Sequence, residues 1–409
     1  MADKNNRHLA DRPVSKTIPT MNTIESHFAE YCGRECVVMP SGRLAIYIAL
    51  KFALPTNSRV LMSPINDDVV FFTVLAAGMQ PVIGPVSDKT GNIDVDRISA
   101  PTWSTVDAVM TTNLHGIADD VHALRNKCKK NEVLLLEDAA HAYGVRVGPN
   151  PVGSFGQFSA FSFSKHLGIK GGALCVEDPN LLPEIRKLLA DVLVRRSNRM
   201  KVKDYCRPML TKTLGALQLL SSAKYLRSYF AKPKKRVREK WRMPVRPDEL
   251  LKAIRCGLID SFDPWIMVDG PNYRTELPYN SESTFRVAIE DYESSLERRM
   301  DGIHDLLRLQ LSPEILGERY DQPLLRVPLL VDNRDELSLK LRSLGLRTEY
   351  IYDPPLGIYA GPPFASTPYP SKSATWWSSK VLPVNPMDHH QFVRYVRDGE
   401  IDLGSRCSK

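Results

Sequence analysis

No stretch of this chain reaches the roughly 18 uninterrupted apolar residues that a membrane-spanning helix needs. Its first twenty residues are polar and basic, without the apolar run of a secretory signal. These two absences point to the cytoplasm. Cysteine is sparse and odd in number. The seven, Cys32, Cys36, Cys128, Cys175, Cys206, Cys256 and Cys407, are scattered, which suits reduced thiols better than a disulfide framework. Cys32 and Cys36 are spaced to share a helix face, but no second Cys or His pair lies nearby to complete a zinc site, and no metal is expected. Acid is missing from one region. Residues 195–246 carry 17 Lys or Arg against only Asp204 and Glu239, so the rest of a chain with net charge +8 is mildly acidic. A nucleic-acid binder spreads its basic charge differently, and none is expected as a partner.

What is present is an ordinary globular composition, 43% hydrophobic and 25% charged. A length of 409 residues suits a large α/β domain with a smaller one. Residues 1–20 read as a flexible arm. Helical spacing begins after Met21 and again from Ser41-Gly42 through Leu44 to Phe52. Short apolar strands are expected at Arg59–Met62, Pro81–Val86, Val106–Thr111, Val133–Leu136, Phe158–Phe163 and Ala173–Val176, with helices at Val69–Gly78 and Asp119–Lys129. That alternation predicts a mostly parallel sheet covered on both faces. After Pro278 a long helix containing Glu290 to Arg299 leads to a small α/β unit. Its strands are expected at Leu324–Val331 and Arg347–Ile351, its helices at Glu336–Leu344 and from Asp388. The expected division is 21–290 for the large domain and 291–409 for the small one, with a basic, largely helical insert at about 195–247.

In open α/β sheets ligands sit at the carboxyl ends of strands, and three stretches fall there. Leu134-Leu-Leu-Glu-Asp138 is an apolar strand ending in two acids and followed by Ala-Ala-His141. Phe161-Ser-Phe-Ser-Lys165 ends another strand with a lysine. Pro40-Ser41-Gly42 precedes a helix whose N–H groups and dipole could hold a phosphate. Pyridoxal phosphate needs these three things: a lysine for the Schiff base, an aspartate to keep the ring nitrogen protonated, and a helix start for the phosphate. Each alone is commonplace, since most such lysines are solvated and most such acids or serines are caps. Their joint order, phosphate turn, acid, lysine, is the signal. Lys170, before Gly171-Gly172, is the rival lysine but lacks the His-Leu-Gly that follows Lys165.

The runs Glu137-Asp-Ala-Ala-His-Ala-Tyr-Gly144, Val152-Gly-Ser-Phe-Gly156, Phe161-Ser-Phe163 and Lys165-His-Leu-Gly168 resemble the sugar aminotransferases of the DegT/StrS type. So do Asn113-Leu-His-Gly116, Pro271-Asn-Tyr-Arg-Thr-Glu-Leu277, Arg347-Thr-Glu-Tyr350 and Lys380-Val-Leu-Pro-Val384, in preserved order over about 20–178 and 268–400. The resemblance implies the type I fold of pyridoxal-phosphate-dependent transferases: a large domain with a mostly parallel central sheet and a small C-terminal α/β domain. It implies that Lys165 holds the cofactor and shuttles the proton, that Asp138 pairs with the pyridine nitrogen, and that His141 lies against the ring or its hydroxyl. Ser41, Gly42 and Arg43 would contact the phosphate, with a hydroxyl from Ser162 or Ser164. Family members are homodimers, and Asn272 would reach the cofactor of the other subunit. The expected partners are a small-molecule keto substrate, such as a nucleotide-linked sugar, and an amino donor, Glu or Gln.

The chain departs from that pattern in places. Its phosphate turn is Ser-Gly-Arg instead of Ser-Gly-Thr, and an arginine could grip phosphate bidentately. Near Asp68, within Asn66-Asp-Asp68, the family carries an aromatic residue that stacks on the cofactor. Gly357 stands where a histidine is usual. The basic insert, with an apolar face at Leu210, Leu214, Leu217 and Leu220 and the run Lys232 to Arg242, could lie on an anionic membrane surface and make the protein peripheral. A packed helix with a solvated basic loop is an equal reading. Dehydratases resembling the family replace the lysine with histidine, so Lys165 favours an aminotransferase. The reading of another class is a scaffold with a decayed pocket, suggested by Asp68 and Gly357.

Overall fold

The computed structural model describes residues 23–197, 242–268, 272–317 and 320–404. The arm at 1–20 and most of the basic insert, 198–241, lie outside the described residues. The first helix, α1 (Ile24–Cys32), is capped by Thr23, whose side chain accepts from the Ser26 N–H, and stopped by Gly33 at φ 65°. Cys32 therefore ends a helix and Cys36 begins strand β1 (Cys36–Met39), so the two share no helix face. Cys32 Sγ instead lies 3.8 Å from Cys175 Sγ, and both thiols are free.

A seven-stranded sheet forms the centre. Its strands are β1, β2 (Arg59–Met62), β3 (Gln80–Ile83), β4 (Ala108–Met110), β5 (Leu134–Asp138), β8 (Phe158–Ser162) and β9 (Gly172–Val176), with a small hairpin of β6 (Arg146–Val147) and β7 (Asn150–Pro151) outside it. The order is β1-β9-β8-β5-β4-β2-β3. Pairings from β8 through β3 are parallel, and β9 runs antiparallel to both neighbours. Strands such as Ala108–Met110 are buried at every position, as expected of a sheet covered on both faces. Helices α2 (Gly42–Ala53) and α3 (Asp68–Ala76) pack on one another, and α2 lies against β8 and β9. Leu44 through Leu50 are all buried, because α2 is enclosed by sheet and helices.

The C-terminal unit is built on a two-stranded antiparallel sheet, β10 (Val327–Leu330) with β11 (Val381–Val384). Helices Leu296–Leu307, Arg334–Ser343 and His389–Arg397 share a core with it, including Ile303, Leu329, Leu341, Leu382 and Phe392. The segment holding Leu356, Ala360 and Phe364 packs into the core of the large sheet instead.

Two expectations need correction. The long helix after Pro278 is two helices, Ser281–Ser294 and Leu296–Leu307. At Ser295 between them, the hydroxyl donates to the Tyr292 carbonyl at 2.9 Å, which competes with the helical ladder. No strand forms over Arg347–Ile351, because Tyr350 takes φ 68°, a left-handed conformation incompatible with a ladder. Among the described residues no helix is long and apolar enough to cross a membrane.

Candidate active site

The carboxyl ends of β2, β4, β5 and β8 meet the start of α2, where Ser41 bridges Gly171 just before β9. Successive side chains on a strand point oppositely, and the Glu137-Asp138 pair uses this to do two jobs. Glu137 is fully buried and accepts from the N–H groups of Gly153, Phe155 and Gly156 at 3.0, 2.6 and 2.7 Å. The Ser159 hydroxyl adds a fourth bond at 3.2 Å. It thereby orders the 153–156 loop that leads into β8.

Asp138 faces the cavity. Its N–H donates to Thr111 Oγ1 at 3.1 Å, and its carbonyl accepts from Asn113 Nδ2 at 2.9 Å, so its backbone is held on both sides. Asp119 supports that loop by accepting from the N–H groups of Thr112, Asn113 and Ile93. The Asp138 carboxyl is 5% exposed and accepts from the Ala140 N–H at 3.1 Å. Burial pushes it up to about 7, offset in part by that N–H and by the Lys165 charge. A carboxylate so poorly solvated calls for a cationic partner.

Lys165 lies on the one-turn helix Phe163–His166 that follows β8. Phe163 anchors this turn by packing against Phe28 and Phe285, with ring centroids 5.8 and 5.0 Å away. Lys165 Nζ sits 4.2 Å from the centroid of the Tyr350 ring, and the Arg326 guanidinium lies 5.0 Å from the same centroid. His141 is buried, and desolvation followed by the nearby Lys165 charge holds its pKa well below 6.5, so the ring is neutral. Its Nδ1 accepts from the His115 N–H at 3.3 Å, which leaves the ring proton on Nε2.

At the start of α2, Ser41 caps the helix by accepting from the Leu44 N–H, and its hydroxyl donates to the Tyr273 carbonyl at 3.1 Å. The first-turn N–H groups have no partner within the helix. Glycine is required here, because a Cβ on Gly42 would come within 2.8 Å of Ser162 Cβ and one on Gly172 within 2.8 Å of the Gly42 nitrogen. Ser162 and Ser164 place their hydroxyls 3.1 Å apart beside this turn.

All nine expected residues, Ser41, Gly42, Arg43, Asp138, His141, Ser162, Ser164, Lys165 and Asn272, line one cavity of about 210 Å³. Lys170 lines it as well. Arg43, expected to grip the phosphate, lines the cavity and also braces the site. Its guanidinium donates to the Ile266 carbonyl and lies 5.9 Å from the Tyr273 ring centroid, tying the loop after Ile266 to the helix start. Asn272 lines the cavity of its own chain, and its Oδ1 accepts from the Arg274 N–H at 2.9 Å.

The two positions read as damage do not face this cavity. Asp67 is the cap of α3 and lines the cavity with Asn66, whereas Asp68, one residue into the helix, turns away. Its carboxylate accepts from the Met243 N–H at 2.8 Å. Beside it the buried Arg242 donates to the carbonyls of Asn66, Tyr352 and Pro354 at 2.6, 3.2 and 2.9 Å. The last arginine of the basic run is therefore a staple inside the protein and meets no membrane. Gly357 lines a separate cavity with Pro64, Ile83 and Tyr369. Residues missed from the sequence include Asn66, Asp67, Thr112, Tyr273 and Tyr352, which all line the site. Tyr352 stands two residues beyond the run Arg347-Thr-Glu-Tyr350, and its alternation with Tyr350 is the available signal.

These residues fit pyridoxal phosphate. A desolvated carboxyl suits a protonated ring nitrogen, a helix start with tight glycines suits a phosphate, and Lys165 lines the same cavity. The fold is that of the type I pyridoxal-phosphate-dependent transferases. The chain matches the DegT/DnrJ/EryC1/StrS aminotransferase family over residues 5–215, just over half its length, and it belongs to that family. It is 30% identical over 175 residues to the spore coat polysaccharide biosynthesis protein SpsC of Bacillus subtilis, covering 42% of this chain and 45% of that one. It is 29% identical over 175 residues to dTDP-3-amino-3,6-dideoxy-alpha-D-galactopyranose transaminase of Aneurinibacillus thermoaerophilus, covering 41% and 48%. The chain thus spans about half the length of the curated relatives it matches. Its fold is shared with the E. coli GDP-4-keto-6-deoxy-D-mannose-3-dehydratase solved with bound hydrated PLP, at TM-score 0.56, 15% identity, and coverage of 91% and 90%.

Proposed function

We propose that this protein is a pyridoxal-phosphate-dependent aminotransferase that moves an amino group from glutamate or glutamine to a keto group of a nucleotide-linked sugar. The observation that carries the reading is the convergence of Lys165, the buried Asp138 carboxyl and the start of α2 on one cavity. Bound pyridoxal phosphate supplies the electron sink for the carbon beside the transferred amino group. Asp138 holds the proton on the ring nitrogen, a role for which its desolvation prepares it, since a buried carboxylate gains most from a charged partner. Neutral His141, with its proton on Nε2, would lie against the ring or its hydroxyl. The α2 start, with the Ser162 and Ser164 hydroxyls, holds the phosphate. Lys165 Nζ takes the proton from the α-carbon of the amino donor and, in the second half-reaction, delivers one to the former keto carbon of the sugar.

The substrate class follows from the names of the relatives, which include a dTDP-sugar transaminase. A homodimer and a division at 290/291 complete the reading, with Asn272 serving the cavity that it lines in its own chain. The scaffold alternative is not favoured, because the family and the relatives that the chain matches are named as aminotransferases. Of the basic insert, Arg196 is bound at one end, donating to the Glu276 carbonyl at 2.9 Å, and Arg242 at the other. Any contact with an anionic surface falls to the residues between them.

The test is the visible absorbance of the purified protein with pyridoxal phosphate, set beside Lys165→Ala. A band in the wild type that Lys165→Ala lacks and that glutamate bleaches is expected. A protein that takes up no pyridoxal phosphate overturns the reading.

A further inference from the structure

We propose that Asp305, His389 and His390 form a binding site for a divalent transition-metal cation, with Zn²⁺ the best match, on the C-terminal unit and apart from the candidate active site. Asp305 lies in the last turns of helix Leu296–Leu307, and His389 and His390 open helix His389–Arg397. The two elements approach closely at Gly302, where a Cβ would collide with the Pro386 carbonyl and come within 2.9 Å of His389 Cδ2. That contact seats the His389 ring, which is 2% exposed.

One ligand atom from each of the three side chains lies within 4.8 Å of the other two, and no other such group occurs among the described residues. His389 Nδ1 and Asp305 Oδ2 are 2.8 Å apart, and the two imidazole centroids are 3.8 Å apart. Metal–ligand bonds of about 2.0–2.1 Å in a tetrahedron space the ligand atoms roughly 3.3 Å apart. The cluster therefore needs only a small adjustment, with a cation in place of the proton shared by Asp305 and His389. His389 Nε2 has no hydrogen-bond partner, so the ring is buried for the sake of its Nδ1 edge.

Two imidazoles and a carboxylate suit zinc, nickel or copper better than calcium or magnesium, which favour oxygen. A fourth position is open to water, because the three side chains line a cavity of about 270 Å³ together with Asp301, His304, Arg298 and Arg308. Asp301 and Asp305 offset the charges of the two arginines. Arg308 donates to Asp305 Oδ1 at 2.6 Å, but its side chain is 70% exposed and free to move aside. This nearby positive charge makes the affinity modest, and the cation would clamp the C-terminal helix onto helix Leu296–Leu307.

The experiment titrates chelator-treated holoenzyme with Zn²⁺ by calorimetry and with Co²⁺ by visible absorption, in wild type, His390→Ala and Asp305→Asn. His390 is exposed, so its removal leaves the fold intact. One equivalent should bind the wild type, raise its melting temperature and give a low-symmetry Co²⁺ spectrum, and affinity should fall at least about tenfold in both variants. Equal stoichiometry and affinity in wild type and His390→Ala, or no binding at millimolar metal, overturns the proposal.

Discussion

Replacing Asp138 by asparagine should stabilise the cofactor-free protein at alkaline pH while removing its ability to hold the cofactor correctly. The carboxyl rises from its ordinary 3.8 to about 7 on folding, chiefly through burial. Between those values the folded chain binds a proton that the unfolded chain has released, so stability falls as pH rises from about 4 to 7. At about 1.36 kcal/mol per pH unit, the loss reaches about 4 kcal/mol above pH 7. Asparagine has the same shape, keeps an acceptor for the Ala140 N–H and carries no charge to desolvate. With an unfolding entropy of about 2.1 cal/mol/K per residue, the gain is roughly 4–5 °C in melting temperature at pH 8, about 2 °C at pH 5 and near zero only at about pH 3. The assay is thermal denaturation of cofactor-free wild type and Asp138→Asn across that range. Adding pyridoxal phosphate should reverse the ranking at pH 8, because only the wild type offers a charge partner to the ring nitrogen. A variant whose melting temperature tracks the wild type in parallel from pH 5 to 8 would refute the desolvation argument.

Glu137→Ala leaves three buried N–H groups and the Ser159 hydroxyl unpartnered, each worth about 1–3 kcal/mol. The expected result is a denaturation midpoint far below wild type; a loss under about 1 kcal/mol would contradict it. Tyr350→Leu removes the ring over which the Lys165 ammonium sits, an interaction of about 0.5–2 kcal/mol. Cofactor uptake followed by stopped-flow absorbance should slow several-fold in Tyr350→Leu and stay unchanged in Tyr350→Phe. Equal rates in all three proteins would show that the ring does not position the lysine.

Much of the site was legible because strand ends announce themselves. An apolar run that stops in Glu137-Asp138, and another that stops in Ser164-Lys165, mark the carboxyl edge of a buried sheet without any tertiary information. What escaped depends on phase and on distant chain. Whether Asp67 or Asp68 faces the cavity turns on which of them caps α3, and a shift of one residue rotates the side chain by about 100°. Arg242 reads as part of a solvated basic run because the carbonyls it staples belong to residues far away in sequence. That Arg43 also donates to the Ile266 carbonyl is hidden for the same reason. Tyr350 sits in a run of strand-forming residues, and only its left-handed φ shows that packing has overridden that preference.

The placement of β9 between β1 and β8 has a consequence for how the protein is made. Strand β1 emerges first from the ribosome, yet its neighbour in the sheet begins at Gly172, and the bridge from Ser41 to Gly171 joins residues 130 positions apart. At synthesis rates of about 5–20 residues per second, that bridge cannot form for roughly 7–26 s after Ser41 is added. During that interval the edges of β1 and the apolar surface of α2 are exposed in the nascent chain.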